Sequence, residues 1–292
     1  MSFSKTSQES VLRTHQSLIE SKIQENIPTF GSKTKLREAC EYALINGGKR
    51  LRPAIVLMVS KALGLGGDAS YAALAIEYFH TASLVVDDLP CMDDDDERRS
   101  KPSVHKAFGE PLALLVSYAL IAEGYGCLAK NTQGLKHSSL PHAAYGDAIG
   151  TMVLENAAYN TGLQGATGGQ FLDLCPPDLT WPTLREIIHK KTVSLFEISF
   201  VSGWLFGGGS PNLLTVVKKA ASHFGVAFQI ADDIGDVIQD DKNERFVNVA
   251  AVFGTEVAAR LFKEEIEGYH EALKELNLQS PDLISIVQDF RQ

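Results

Sequence analysis

Six aspartates carry the strongest chemical signal in the chain. The apolar segment Phe79–Val86 ends in Asp87-Asp88-Leu-Pro-Cys-Met-Asp93, and the apolar segment Val226–Ala231 ends in Asp232-Asp233-Ile-Gly-Asp236. Asp232 and Asp236 stand four residues apart, so a helix presents them on one face, with Asp233 beside them. The run Asp93–Asp96 taken alone reads as a wet charged surface. The others abut strongly apolar sequence, where an unpaired carboxylate is costly. Carboxylates gathered in an apolar cavity favour a hard cation, and Mg²⁺ is the usual one where phosphates supply the remaining oxygens. Two such sets facing one another would hold several Mg²⁺ around a diphosphate.

Basic residues balance them. Gly47-Gly48-Lys49-Arg50-Leu51-Arg52-Pro53 puts three cations beside a flexible glycine pair. Arg98-Arg99 follows the first acidic cluster, and Lys190-Lys191-Thr192 comes later. Each alone reads as surface charge. Arginine is nevertheless suited to bidentate phosphate binding, and three basic clusters with two acidic ones point to a site for two phosphorylated substrates.

The elements that must position these residues read as helices. Leu36, Cys40, Ala43 and Leu44 follow helical spacing, as do Leu261, Ile266, Tyr269 and Leu273. Prolines fall at helix starts or loops. Helices are expected near 7–26, 34–46, 51–64, 69–88, 111–130, 141–163, 183–206, 212–240, 255–276 and 281–290. Those at 69–86 and 193–206 are apolar nearly all round and belong inside a bundle. No linker, low-complexity tract or short repeat interrupts, so residues 1–292 read as one all-α domain.

Composition agrees: 45% hydrophobic and 22% charged residues over 292 positions exclude disorder, collagen and coiled coil. A net charge of -9 argues against general nucleic-acid binding. Cys40, Cys91, Cys127 and Cys175 have no zinc-ligand spacing. Leu112–Ala122 and Val193–Phe206, the longest apolar stretches, are too short or too interrupted to span a bilayer. With no signal-like N-terminus, the expectation is a cytoplasmic protein without a transmembrane segment.

In order, GGKRLRP (47–53), HTASLVVDDLPCMDDDDERRSKP (80–102), GGQFLDL (168–174), HKKT (189–192) and FQIADDIGDV (228–237) resemble the trans-isoprenyl diphosphate synthases, which include farnesyl and geranylgeranyl diphosphate synthases. The two-residue insertion in the first motif resembles the bacterial and plant type. The resemblance implies a bundle of ten or more helices around a central cavity, the isoprenoid synthase fold, assembled as a homodimer, with 111–130 and 141–163 as candidate interface. It implies Mg²⁺-dependent head-to-tail condensation of isopentenyl diphosphate with an allylic diphosphate, giving geranylgeranyl or farnesyl diphosphate. Asp87, Asp88, Asp93, Asp232, Asp233 and Asp236 would hold three Mg²⁺, with Mn²⁺ as a substitute. Asp87, Asp88, Lys191, Asp232 and Asp233 would carry catalysis. Arg98, Lys191, Thr192 and Gln229 would contact the allylic diphosphate; Lys49, Arg52, His80 and Arg99, with Phe228 nearby, would bind isopentenyl diphosphate. Gln170 and Asp173 would line the cavity. Arg50 receives no role and reads as a surface residue.

Some positions depart from the family pattern. Ser100 stands for a usual glycine, Ser117-Tyr118 for Gly-Asp, and the loop after Asp236 is short, leaving Arg245 or Lys242 to replace its lysine. A class I terpene cyclase and a non-catalytic subunit of a prenyl synthase are the rival readings. The first needs no second diphosphate site, and the second typically loses the acidic motifs kept here. Product length is read from the helix before Asp87. Short-chain relatives carry a bulky aromatic five residues before the first aspartate; here Ala82, beside Ser83, leaves that floor open, and Phe79 lies one turn deeper.

Overall fold

The apolar periodicity resolves into helices throughout the computed structural model of this chain, which describes residues 5–242 and 247–291, with side chains over 12–236, 247–288 and at Phe290. In chain order these are α1 (Lys5–Asn26), α2 (Lys35–Leu44), α3 (Leu51–Ala62), α4 (Ser70–Asp87), α5 (Val104–Phe108), α6 (Glu110–Lys136) and α7 (Gly146–Thr161). They continue with α8 (Ala166–Leu174), α9 (Trp181–Ile188), α10 (Ser194–Phe206), α11 (Leu214–Lys242), α12 (Val249–Phe253), α13 (Thr255–Glu275) and α14 (Pro281–Ser285). A two-stranded hairpin, β1 (Glu97–Arg98) and β2 (Lys101–Pro102), pairs Arg98 with Lys101.

The centre is α4 and α10. Every residue of α10 except Glu197 is buried. That carboxylate is satisfied by Asn156 Nδ2 at 2.6 Å, Asn160 Nδ2 at 3.0 Å and Lys218 Nζ at 3.0 Å, so the polar break in the apolar run is an inter-helix tie. Around this pair, α3, α6, α7 and α11 pack as a surrounding layer. The main core runs from Ile19 to Val287; a second cluster around Ile188, Val193, Val226, Ile230 and Phe262 joins α11 to α13.

Three short helices and the hairpin were not expected. The residues of α8 alternate between exposure and partial burial, with Phe171 65% exposed, so no apolar stripe marks it. With five residues each, α5 and α12 are too short to show a period. The expected 141–163 helix divides at Tyr145 into a 3₁₀ turn and α7, and α9 joins α10 through a π-helical turn, His189–Val193.

Arg50 corrects the surface reading. It caps α3 with φ +52, is 4% exposed, pairs with Glu77 and donates from Nη2 to the Leu44 carbonyl at 2.5 Å. Both side chains of the pair are nearly inaccessible, at 1% and 2%. Removing one partner strands a buried charge, so Arg50→Ala is expected to cost about 3–5 kcal/mol, readable in urea denaturation. A loss below about 1 kcal/mol, as for an exposed pair, would contradict the buried assignment.

The apolar reach of α6 was also underestimated. The uninterrupted apolar stretch ends at Ala122 and the helix expected over 111–130 ends earlier than the observed one, which runs past Glu123 to Lys136 and, among the described residues, is long and apolar enough to cross a membrane by length and composition. Within the fold it packs along α4 and α7. Its outer face, with α7 and the segments flanking it, leaves Leu114, Leu115, Tyr118, Tyr145, Tyr159 and Leu163 exposed.

Candidate active site

The two aspartate sets end up across one cavity of about 600 Å³, lined among others by Leu84, Asp87, Met92, Asp93, Arg98, Asp173, Lys191, Thr192, Gln229, Asp232, Asp233 and Asp236. The apolar run of α4 stops at Asp87, whereas α11 continues through its acidic motif to Lys242. Burial pushes the Asp87 carboxyl up to about 6, Lys191 opposing and Asp93 adding to the shift. Among the described residues the Asp87 carboxylate has no hydrogen-bonded partner; its backbone carbonyl accepts from the Asp93 amide at 2.9 Å. A half-buried carboxylate without a donor, in an all-oxygen acidic cavity, fits a hard divalent cation.

Asp88 and Asp233, both named in the ligand reading, are already hydrogen-bonded within the protein. Asp88 is 2% exposed and does not line the cavity; it accepts from Arg98 Nε at 2.9 Å and pairs with the same guanidinium through Nη2. The hairpin makes this possible. Arg99 and Ser100, both at positive φ, form its two-residue turn and bring Arg98 back onto α4; the turn also explains why glycine is usual at position 100. Asp233 accepts from Gln229 Nε2 through Oδ1 and from the Val249 amide through Oδ2, both at 2.8 Å. Asn248 adds a bond from Nδ2 to the Asp233 carbonyl at 2.9 Å and caps α12 through Ala251 N. The sequence reading missed this anchor, although Asn before an apolar run is a helix-start signal. Asp233 thus pins the segment that returns to the cavity after α11. Arg245 lies outside the described residues, as does the side chain of Lys242.

The π-helical turn presents Lys191 and Thr192. Lys191 pairs with Asp173 of α8; burial lowers its pKa, but Asp173 and Asp87 win and hold the ammonium above its ordinary value. Thr192 Oγ1 donates to Gln229 Oε1 at 2.6 Å, so Thr192, Gln229 and Asp233 form one relay. A Cβ at Gly169 would overlap the Lys191 amide nitrogen, which explains a glycine where α8 meets this turn. Gln170 beside it faces Met92 Sδ at 4.0 Å, and its Oε1 is buried without a partner.

The second basic group lies off this cavity. Gly47 and Gly48 adopt φ +77 and +119, so the loop before α3 turns tightly. Arg99 donates to the Gly47 carbonyl, Gln16 Nε2 to the Gly48 carbonyl at 2.8 Å, and Asn46 Nδ2 to the Arg98 carbonyl at 3.0 Å. Lys49 is exposed. Arg52 Nη1 meets His80 Nε2 at 3.4 Å, and burial lowers the Arg52 pKa to about 10, with Glu77 and Asp232 opposing. Burial, then Arg52 and three further arginines, push His80 well below its usual value, so it is neutral near pH 7. Phe228 packs on Phe196 with centroids 5.2 Å apart.

The chain-length candidates do not line the cavity. Phe79 and Ala82 are buried at 3% and 1%, Phe79 with its ring 5.0 Å from that of Tyr125; Ser83 donates from Oγ to the His80 carbonyl at 2.9 Å. On α4, Leu84 and Asp87 form the wall. Asp94 and Asp96, in the loop after Asp93, and His105 of α5 bring one ligand atom each within 4.8 Å of one another, and Lys106 binds Asp96 at 2.6 Å.

An all-α bundle enclosing facing aspartate clusters, flanked by fixed cations, defines the isoprenoid synthase class. The polyprenyl synthetase family model matches residues 33–245, and the chain belongs to that family. It is 36% identical over 214 residues to a chloroplastic geranylgeranyl pyrophosphate synthase of Catharanthus roseus, covering 71% of this chain and 57% of that protein. It is 33% identical over 236 residues to a short chain isoprenyl diphosphate synthase of Methanothermobacter thermautotrophicus, covering 80% and 67%. An FPP/GFPP synthase structure from Zymomonas mobilis superposes with a TM-score of 0.84 at 29% identity, over 98% of this chain and 99% of that one. The chain spans 57% of the length of the first plant relatives it matches.

Proposed function

We propose that this chain is a short-chain trans-prenyltransferase that condenses isopentenyl diphosphate with an allylic diphosphate of the dimethylallyl, geranyl or farnesyl class. The observation that carries the reading is the cavity with Asp87 and Asp93 on one side and Asp232 and Asp236 on the other, beside a separate basic group around Arg52. A terpene cyclase would have no use for that second group, and a non-catalytic subunit none for both acidic sets.

Asp87, Asp93, Asp232 and Asp236 would hold the divalent ions, three Mg²⁺ with Mn²⁺ as a substitute; when bound they supply Lewis-acid neutralisation of the leaving diphosphate. Asp88 and Asp233 act by position, fixing Arg98 and the α12 segment. Lys191 and Arg98 hold fixed positive charge toward the same leaving group, needing no reorganisation as charge develops. The allylic carbon–oxygen bond breaks, the terminal carbon of the isopentenyl double bond forms the new carbon–carbon bond, and a proton leaves to the released diphosphate. Leu84, Ile187 and Ile188 wall the cavity and exclude water that would otherwise trap the cation.

Purified protein with Mg²⁺, isopentenyl diphosphate and each allylic diphosphate should give elongated prenyl diphosphate by chromatography. Cyclised hydrocarbon, or no turnover without a partner protein, would favour a rival reading. Lys49→Ala and Arg52→Ala should raise KM for isopentenyl diphosphate about tenfold or more, while Arg98→Ala acts on the allylic substrate or kcat. The reverse pattern would exchange the two diphosphate sites.

The reading extends to a homodimer closed over the apolar face of α6 and α7, where Leu115, Tyr118 and Tyr159 are 48%, 68% and 58% exposed. Light scattering at micromolar concentration should give twice the chain mass; an active monomer would remove this part.

A further inference from the structure

Arg52 is a half-buried guanidinium that, among the described residues, pairs with no carboxylate. Its Nε is buried and makes no hydrogen bond, and Nη1 meets the neutral imidazole of His80 at 3.4 Å. Glu77 and Asp232 act on its charge only from a distance, and aromatic faces meet it directly: Cζ lies 4.4 Å from the ring centroid of Phe196 and 5.8 Å from that of Phe228. At these distances the ring quadrupole attracts a cation, most strongly where water is excluded. Phe196 has no accessible surface and cannot shift, because its ring abuts Phe224 at 5.0 Å and Phe228 at 5.2 Å, both edge-on. Phe228 and Phe224 are held in turn by Phe290, at 5.4 Å and 5.0 Å.

A salt bridge would fix Arg52 too, but it would consume the N–H donors that a diphosphate needs. A ring face fixes the guanidinium and leaves those donors at its edge unspent. We propose that Phe196 is a positioning residue for isopentenyl diphosphate, its ring holding the Arg52 guanidinium in the plane and place from which it receives that substrate's diphosphate. This rests on the reading of Arg52 as part of the isopentenyl diphosphate site.

The experiment is steady-state kinetics with both substrates on the full chain, plus melting temperatures, for Phe196→Leu, Phe200→Leu and Arg52→Ala. A fourth variant places 3,4,5-trifluorophenylalanine at 196, keeping the shape while weakening the quadrupole. Phe200 is the packing control: it is fully buried one turn along α10, packs on Phe224 and Tyr269, and touches no cation. Phe196→Leu should raise KM for isopentenyl diphosphate about tenfold, with kcat and the allylic KM within about twofold. The fluorinated ring should raise the same KM by a smaller factor at unchanged melting temperature. Phe200→Leu should lower the melting temperature and leave both KM values alone. The inference is overturned if Arg52→Ala raises KM for isopentenyl diphosphate while both Phe196 variants leave it unchanged. It is overturned equally if Phe200→Leu raises that KM as much as Phe196→Leu does. If Arg52→Ala itself leaves that KM unchanged, the reading of the site fails first.

Discussion

Asp87→Ala and Asp232→Ala are expected to lower turnover on the order of 10³-fold or more, since each removes a carboxylate from the charge that would hold the divalent ions. Stability should move differently. Asp87 ends α4, where the helix dipole disfavours negative charge, and burial already pushes its carboxyl up to about 6. The protein without metal should therefore be no less stable with alanine there. Mg²⁺ with inorganic diphosphate is expected to raise the melting temperature of the unaltered protein, and that rise should vanish in both variants. Asp88→Ala and Asp233→Ala form the contrast. The first leaves Arg98 only its longer contact with Asp95 at 3.4 Å and the second leaves the Val249 amide and Gln229 Nε2 without their acceptor, so both should lose activity and stability together. Near-normal rates for Asp87→Ala in Mg²⁺ would refute the two-cluster mechanism. A melting temperature lowered as much by Asp87→Ala as by Asp88→Ala would refute the division between holding and positioning aspartates.

That division was not legible in the sequence. Both acidic sets were, because a carboxylate adjoining an apolar run is a local fact that needs no fold to notice. Adjacent residues in Asp87-Asp88 look equivalent until the hairpin at 97–102 turns Arg98 back onto only one of them. Asp233 likewise looks like Asp232 until Asn248 and Val249 return to it from fifteen and sixteen residues further along. The central helices were legible for the opposite reason: α4 and α10 are buried on all sides, so their composition alone marks them. Phe196 was hidden by the same property, since among the several buried rings of α10 nothing in the sequence singles out the one that faces a guanidinium. Arg50 and Arg52 show the limit most plainly. Two residues apart in one basic motif, one is spent on a buried pair with Glu77 and the other is held by aromatic faces. Arg50 stands at positive φ just before α3 and Arg52 in its first turn, a difference of backbone that no composition rule reports.

Ala82→Tyr is expected to hold the product to fifteen carbons or fewer, shortening it if the unaltered protein makes a twenty-carbon one. In the proposed reaction the growing chain runs from the diphosphate past Leu84 and down along α4. In the floor read from the sequence Ala82 would leave the first level open and Phe79, three residues deeper, would close the next, although neither lines the cavity in this structure. Three residues are about 4.5 Å of helix, close to one extended five-carbon unit. The deeper level is built from both helices: the Phe79 ring lies 5.0 Å from that of Tyr125, and a Cβ at Gly124 would come 2.5 Å from Phe79 Cε1. Such packing leaves the Phe79 ring nowhere to retreat on the α6 side. A tyrosine at 82 enters a site that is 1% exposed, so overpacking should cost about 1–3 kcal/mol unless the ring turns into the chain's path. Product chromatography must therefore be paired with melting curves. A shortened product at little stability cost identifies a ring in the path, whereas a destabilised protein with an unchanged product identifies a ring forced into the core. Phe79→Ala should act in the opposite sense, lengthening the product at a stability cost of about 3–5 kcal/mol. If the unaltered protein makes only the fifteen-carbon product and Ala82→Tyr changes nothing, the floor lies elsewhere, and the prenyltransferase proposal stands without it.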